Sequence, residues 1–292
     1  MSSLDDSSRA DVDPIYAEAR RVLLDALTAL AAQGAAVIIA GAQAVYLRTG
    51  AADIAVAPYT TDGDLTLNPS LLVDEPTLES VMRAAGFDLA VVGGHVEPGI
   101  WVAAANVAGE SILIPIDLIV PEGAATGGGR RGARPGAHGK VAVRRAVGLE
   151  AVLIDHSAMT VSALDPADTR SVQAEVAGPA ALFVAKAHKL HDRVASGKTA
   201  RLDDKDAADV VRLMQTTRPE DVGMNLAQLS QDPVAGSVTT DAVTHINDLF
   251  GRRGRPGVEM AVRALRIGVP AAQVETLCVS YTERLIAAAF AT

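Results

Sequence analysis

The sequence carries a single cysteine, Cys278, so no intrachain disulfide framework holds it together. Aromatic residues are only 3% of its 292 residues, which leaves few rings on which single-stranded nucleic acid would stack. Basic side chains are in deficit, 26 against 35 acidic, for a formal net charge of -9. Broad DNA binding depends on neutralising phosphates with Lys and Arg, so no specific DNA binding is expected. Long hydrophobic runs are missing as well. The longest, near residues 35–47 and 177–185, fall short of the ~20 residues that span a bilayer. The opening MSSLDDSSRADVDP has neither the basic nor the apolar segment of an export signal. The expectation is a cytoplasmic protein with no membrane partner.

What the chain does have is length and apolar content: 49% of it is hydrophobic, much of that alanine and valine. Such a chain buries most of its apolar surface without staples and is long enough for about two domains. Asp13-Pro14 is a helix start, with Asp as N-cap and Pro at the first helical position, and the amphipathic run goes on through Gln33 to a stop at Gly34. Ala36 to Ala40 reads as a short buried strand, followed at Gly41 by a helix ending near Gly50. Thr61 to Leu67 alternates as a strand, Pro76 to Ala85 reads as a helix closed by Gly86, and strands follow at Asp88–Val92, Ile100–Val107 and Ile112–Val120. The glycine-rich stretch Gly123 to Gly139 is a loop, after which strands are expected at Val141–Arg145, Val152–Asp155 and Met159–Leu164. Helical runs fill the rest, at 179–195, 204–216, 240–250, 257–267 and 271–290. The order predicts an α+β domain over 14–176, a mixed β-sheet with flanking helices, followed by a helical domain over 177–292.

The segment richest in chemistry is Asp62-Gly63-Asp64 on a predicted strand. Residues two apart on a strand share a face, so the two carboxylates converge. Like charges so placed repel unless a cation lies between them, and hard oxygen ligands suit Mg²⁺. Asp117, isolated in the apolar IPIDLIV, is costly to bury unless paired or metal-bound. Three such aspartates would hold one or two Mg²⁺ ions, with Asp117 placed to accept a proton from an attacking hydroxyl. The Gly41 turn upstream lets backbone amides at a helix N-terminus approach phosphate closely.

IIAGAQAVYL, then YTTDGDLTL, then IPIDLIV resembles the core of the DNA polymerase β-like nucleotidyltransferase superfamily. GPAALFVAKAHKLHDR followed by RLDDKDAADVVRLM is similar to the lysine and K-D-x-x-D elements of its AbiEii and MenT-type branch, many members of which are toxins of toxin–antitoxin pairs. The resemblance covers about residues 30–215. It implies that Asp62, Asp64 and Asp117 bind metal, that Lys189 contacts the nucleoside triphosphate and that Asp206 supports that site. It also implies nucleotide contacts from Gly41, Ala42, Gln43 and Lys186. The chemistry implied is Mg²⁺-dependent transfer of an NMP from an NTP to an acceptor, first of all RNA at a tRNA 3′ end, with a cognate antitoxin as protein partner. Two departures stand out. The turn reads Ala40-Gly41-Ala42 where members commonly have Gly-Gly or Gly-Ser, and Pro58 stands where they often have arginine, so Gln43 or Arg48 would have to substitute.

Other signals are weaker. Arg130, Arg131, Arg134, Lys140, Arg144 and Arg145 are candidates for RNA backbone contacts. Arg253-Gly254-Arg255-Pro256 resembles a minor-groove hook but reads better as a helix stop and restart. His188 and His191, three apart, lack the further ligands of a zinc site; His188 is a candidate for the nucleotide pocket. Cys278 is expected in the core. Two other functions fit the same residues: nucleotidyl transfer to a small molecule such as an antibiotic, and a noncatalytic nucleotide-binding or protein-interaction module.

Overall fold

A computed structural model of the chain describes residues 12–50, 60–125, 132–133, 135–197 and 204–291. Helix α1 (Pro14–Ala29) begins as its sequence dictates, with the Asp13 carboxylate accepting from the Ile15 and Tyr16 amides at 2.8 and 3.1 Å. It ends four residues earlier than the apolar pattern implies, because the backbone tightens into a 3₁₀ turn over Ala31–Ala36, in which Gly34 has a φ of 47°.

Strand β1 (Val37–Ala40) leads into α2 (Gly41–Thr49), and β2 spans Gly63–Leu67. Then come α3 (Leu78–Ala84), β3 (Asp88–Val92), β4 (His95–Val107) and β5 (Glu110–Pro121). β6 (Arg144–Ala146), β7 (His156–Ser162) and β8 (Ser171–Ala177) complete one mixed sheet. Its order is β3-β4-β5-β2-β1-β8-β7, with β6 also paired to β5. β1 is antiparallel to β2 and parallel to β8, and β2 is parallel to β5. All four residues of β1 are buried, which is why its sequence is a continuous apolar run with no alternation. Trp101 of β4 is fully buried with its indole N–H donating to the Ala142 carbonyl at 2.9 Å, so the polar end of the ring is satisfied.

The helical part comprises α4 (Pro179–Ala195), α5 (Lys205–Thr216), α6 (Pro219–Leu229), α7 (Gly236–Phe250), α8 (Pro256–Leu265) and α9 (Ala271–Ala289). α4 leaves directly from β8, the neighbour of edge strand β7, and buries Leu182, Phe183, Val184 and Leu190, each contributing about 1.5–3 kcal/mol. Its first turn is capped from a distance: Asp155 accepts from the Ala181 amide at 2.8 Å, and a side chain at Gly178 would overlap that carboxylate. This explains one departure from expectation. The Val152–Asp155 segment is no strand but a 3₁₀ turn over Glu150–Leu153 that delivers Asp155 to the helix. Two elements lie where none was expected, β8 and α6. None of the described helices is long and apolar enough to cross a membrane.

Candidate functional site

The chain turns from β1 into α2 at Gly41, whose φ of 63° is left-handed. Ala40 pairs with Asp64 across β1 and β2, and the Asp64 carboxylate lies where a Cβ on residue 41 would be. Glycine is therefore required twice over, for its dihedral and for the close approach. The first amides of α2 have no partner inside the helix, and that end opens on the same cavity as Asp64. On the other side, β2 runs parallel to β5 in a register that sets Asp64 opposite Asp117. The glycine between the two aspartates faces inward: a side chain at Gly63 would run into Ile116 at 2.7 Å.

Each aspartate has its own surroundings. Asp62 accepts a short hydrogen bond from Thr60, whose oxygen in turn accepts from Lys205 at 3.1 Å. Asp117 accepts from Arg144 Nη2 at 2.5 Å. Asp64 sits between them. Burial first and then the charge of Asp62 push its carboxyl up to about 6; Asp117 adds to the rise, while Lys189 and Arg144 oppose it.

A cavity of about 330 Å³ separates these strands from α4. Gly41, Asp64, Arg144 and Lys189 line its polar side, and Ile119, Val147 and Leu149 its apolar side. Lys189 is 49% exposed and reaches Asp206 at 3.2 Å. Lys186, one turn back, is only 4% exposed and its ammonium is held by Asp206 at 2.5 Å and Asp209 at 2.6 Å. Burial pulls the Lys186 pKa down, but the two carboxylates outweigh it and the net shift is upward. Asp206 moves the other way: burial raises it, and Lys186, Lys189 and Arg193 together bring it far below the usual carboxylate range. Lys186 thus forms with Asp206 and Asp209 a buried ion cluster that fastens α5 to α4, and it also belongs to the cavity lining.

Several expectations need correction. Gln43 is buried and accepts from Arg20 Nε at 2.9 Å, so it faces the core under α2 and not the cavity. Arg48 ties the end of α2 to the sheet through the Ala177 carbonyl at 2.9 Å and Ser157 Oγ at 2.9 Å. Neither replaces the missing residues of the turn. The Ala42 side chain is buried. Pro58, Arg130, Arg131 and Arg134 lie outside the described residues. Of the remaining basic candidates, Lys140 is exposed, Arg145 pairs with Glu122 at 3.2 Å and Arg144 belongs to the aspartate site. His188 packs on Gly148 and meets the Val238 carbonyl at 2.8 Å, away from the cavity. His191 stacks on His245 of α7 with ring centroids 3.7 Å apart, and among the described residues no three candidate ligands are grouped there. Cys278 is buried, which pushes its thiol up to about 12.

The oxygen-only donor set and the under-neutralised Asp64 suit a hard divalent ion. Among the described residues, however, no three Asp, Glu, His or Cys side chains are grouped to hold a metal as they stand. The reason is visible in the pairings: Asp62 turns to Thr60 and Asp117 to Arg144. Arg144 is the site residue that reasoning from sequence assigned elsewhere. Its signal was the alternation of Ala142, Arg144 and Ala146, which marks a strand with a cation on one face. No protein-family model matches the chain, and no curated protein matches its sequence.

Proposed function

We propose that this chain is a Mg²⁺-dependent nucleotidyltransferase of the AbiEii and MenT type, with a nucleotidyltransferase-like sheet domain over residues 14–176 and a helical domain over 177–292. The observation that carries this reading is the convergence on one cavity of the Gly41 turn, Asp64 and Lys189 from α4, with Asp117 set opposite Asp64 by the strand register. Asp62, Asp64 and Asp117 would hold the ion, which supplies the positive charge that stabilises attacking and leaving oxygens. Lys189, oriented by Asp206, binds the triphosphate as a compact point charge. The amides that open α2 receive phosphate oxygens. An acceptor hydroxyl oxygen bonds to the α-phosphorus, its proton passes toward Asp117, the bond to the bridging oxygen breaks and pyrophosphate leaves. An RNA acceptor, a tRNA 3′ end first of all, follows from the resemblance, as do an antitoxin partner and a cytoplasmic setting.

Transfer from each α-labelled NTP to total cellular RNA, with Mg²⁺ and with chelator, tests the reading. Label on a tRNA-sized band that disappears with chelator and in Asp64→Ala is the expected result. Absence of label from folded protein with all four nucleotides and added small-molecule acceptors would overturn it. One observation favours a second reading, a noncatalytic nucleotide-binding module: Arg144 already neutralises Asp117. Nucleotide binding without transfer would decide for that alternative.

A further inference from the structure

Arg144 has a fixed mount and a partly exposed end. Its backbone is held by β5 through the Ile119 pairing and by a bridge to Gly132, and a side chain at Gly99 would strike its amide nitrogen. Its side chain is 29% exposed, lines the cavity and donates to Asp117 Oδ2 at 2.5 Å, while its Nε is shut from solvent with no acceptor. A guanidinium on a carboxylate occupies lone pairs that a cation would otherwise use. A planar guanidinium fork also matches phosphate better than it matches a single carboxylate oxygen.

The geometry points to Arg144 as a resident counter-cation that competes with the divalent ion for Asp117 and transfers to nucleotide phosphate when that ion enters. The inference rests on the nucleotidyltransferase reading. Metal and triphosphate then help each other, because each is served by breaking the same ion pair, and the help is reciprocal. Removing Arg144 has effects of opposite sign on the two ligands. The metal gains Asp117 without a competitor, while triphosphate loses a partner. A partly exposed pair of this kind corresponds to about two- to fivefold in affinity.

The test uses the full chain, Mn²⁺ as the metal probe read by loss of the free-ion electron paramagnetic resonance signal, and inorganic triphosphate read by calorimetry. Arg144→Gln is expected to bind Mn²⁺ about two- to fivefold more tightly than the unaltered chain and triphosphate about two- to fivefold more weakly. Lys189→Gln removes a cation from the same cavity that does not touch Asp117. It is expected to weaken triphosphate similarly while raising Mn²⁺ affinity less than Arg144→Gln does, because its charge reaches Asp64 but holds no lone pair of Asp117. Equal Mn²⁺ affinity in the unaltered chain and Arg144→Gln, or an equal gain in Lys189→Gln, overturns the inference and leaves the proposed function standing. No Mn²⁺ binding by any of the three proteins overturns both. Arg144→Lys keeps the charge without the fork and is expected to fall between, which separates loss of the pair from misfolding.

Discussion

Substituting Gly41 by alanine tests the centre of the site without any assumption about its chemistry. Two costs are expected. The left-handed backbone at φ 63° penalises any L-residue by about 1–2 kcal/mol. The added Cβ also falls on the Asp64 carboxylate, its Cγ only 2.8 Å away, so that side chain or the β1–α2 turn must shift, which costs a further ~1–3 kcal/mol. Equilibrium urea unfolding of Gly41→Ala should therefore give a loss of about 2–5 kcal/mol. The steric part depends on a single partner, so a double-mutant cycle isolates it. In an Asp64→Ala background the carboxylate is gone and only the dihedral penalty and a tight Cβ contact at 3.0 Å remain. The loss should fall by at least about 1 kcal/mol, well above the ~0.5 kcal/mol within which independent sites add. Equal losses in the two backgrounds would refute the claim that the first turn of α2 and Asp64 are in contact, and with it the convergence on which the proposed function rests.

Two further predictions concern the helical part. Lys186→Met removes the ammonium shared by Asp206 and Asp209 at a buried position, and a loss of about 3–5 kcal/mol in urea unfolding is expected; under 1 kcal/mol would show that the cluster is solvated. His245 has its pKa lowered by burial, then by His191 and His188, so on acidification the unfolded chain takes up a proton that the folded chain refuses. Stability should fall as pH drops below the ordinary histidine value of about 6.5 and level off beneath the lowered one, and His245→Phe should flatten this dependence in thermal melts between pH 7.5 and 5. An unchanged pH profile in the variant would remove His245 from the account.

Most of the fold was legible where one residue pattern served one role. Asp13-Pro14 marked the start of α1, and the apolar stripe of α4 appears in the structure over the range expected, Pro179–Ala195. The two missed elements fail for physical reasons that can be named. β8 does alternate, with Val172, Ala174 and Val176 against Ser171, Gln173 and Glu175, but alanine is a weak marker of a buried face. α6 has a proper start, with Pro219 at its head and Glu220 and Asp221 in the first turn, yet Gly223 reads as a breaker. In three dimensions that glycine is a contact point: a Cβ there would press on α9, 2.7 Å from Ala288. Such a reason belongs to a partner helix some sixty positions away in the sequence and leaves no local trace.

The site was legible as faces and illegible as partners. Spacing puts Lys186 and Lys189 on one side of α4, yet a helix turns about 100° per residue, so each step of three falls about 60° short of a full turn. That rotation decides everything here. Lys186 lies 4% exposed among carboxylates, Lys189 is 49% exposed at the cavity edge, and Asp192 continues the winding to 79%. The same row of side chains thus passes from core along the cavity to solvent. Asp206 joins its first two members, since one of its oxygens receives both Lys186 and Lys189. The buried lysine positions the aspartate, and the aspartate positions the exposed lysine, so the charge that stabilises the helices is also the charge that aims the one facing the cavity. A substitution at Lys186 would therefore reach the cavity through Asp206 and Lys189 as well as through its own place in the lining, and sequence spacing gives the two lysines no way to be told apart.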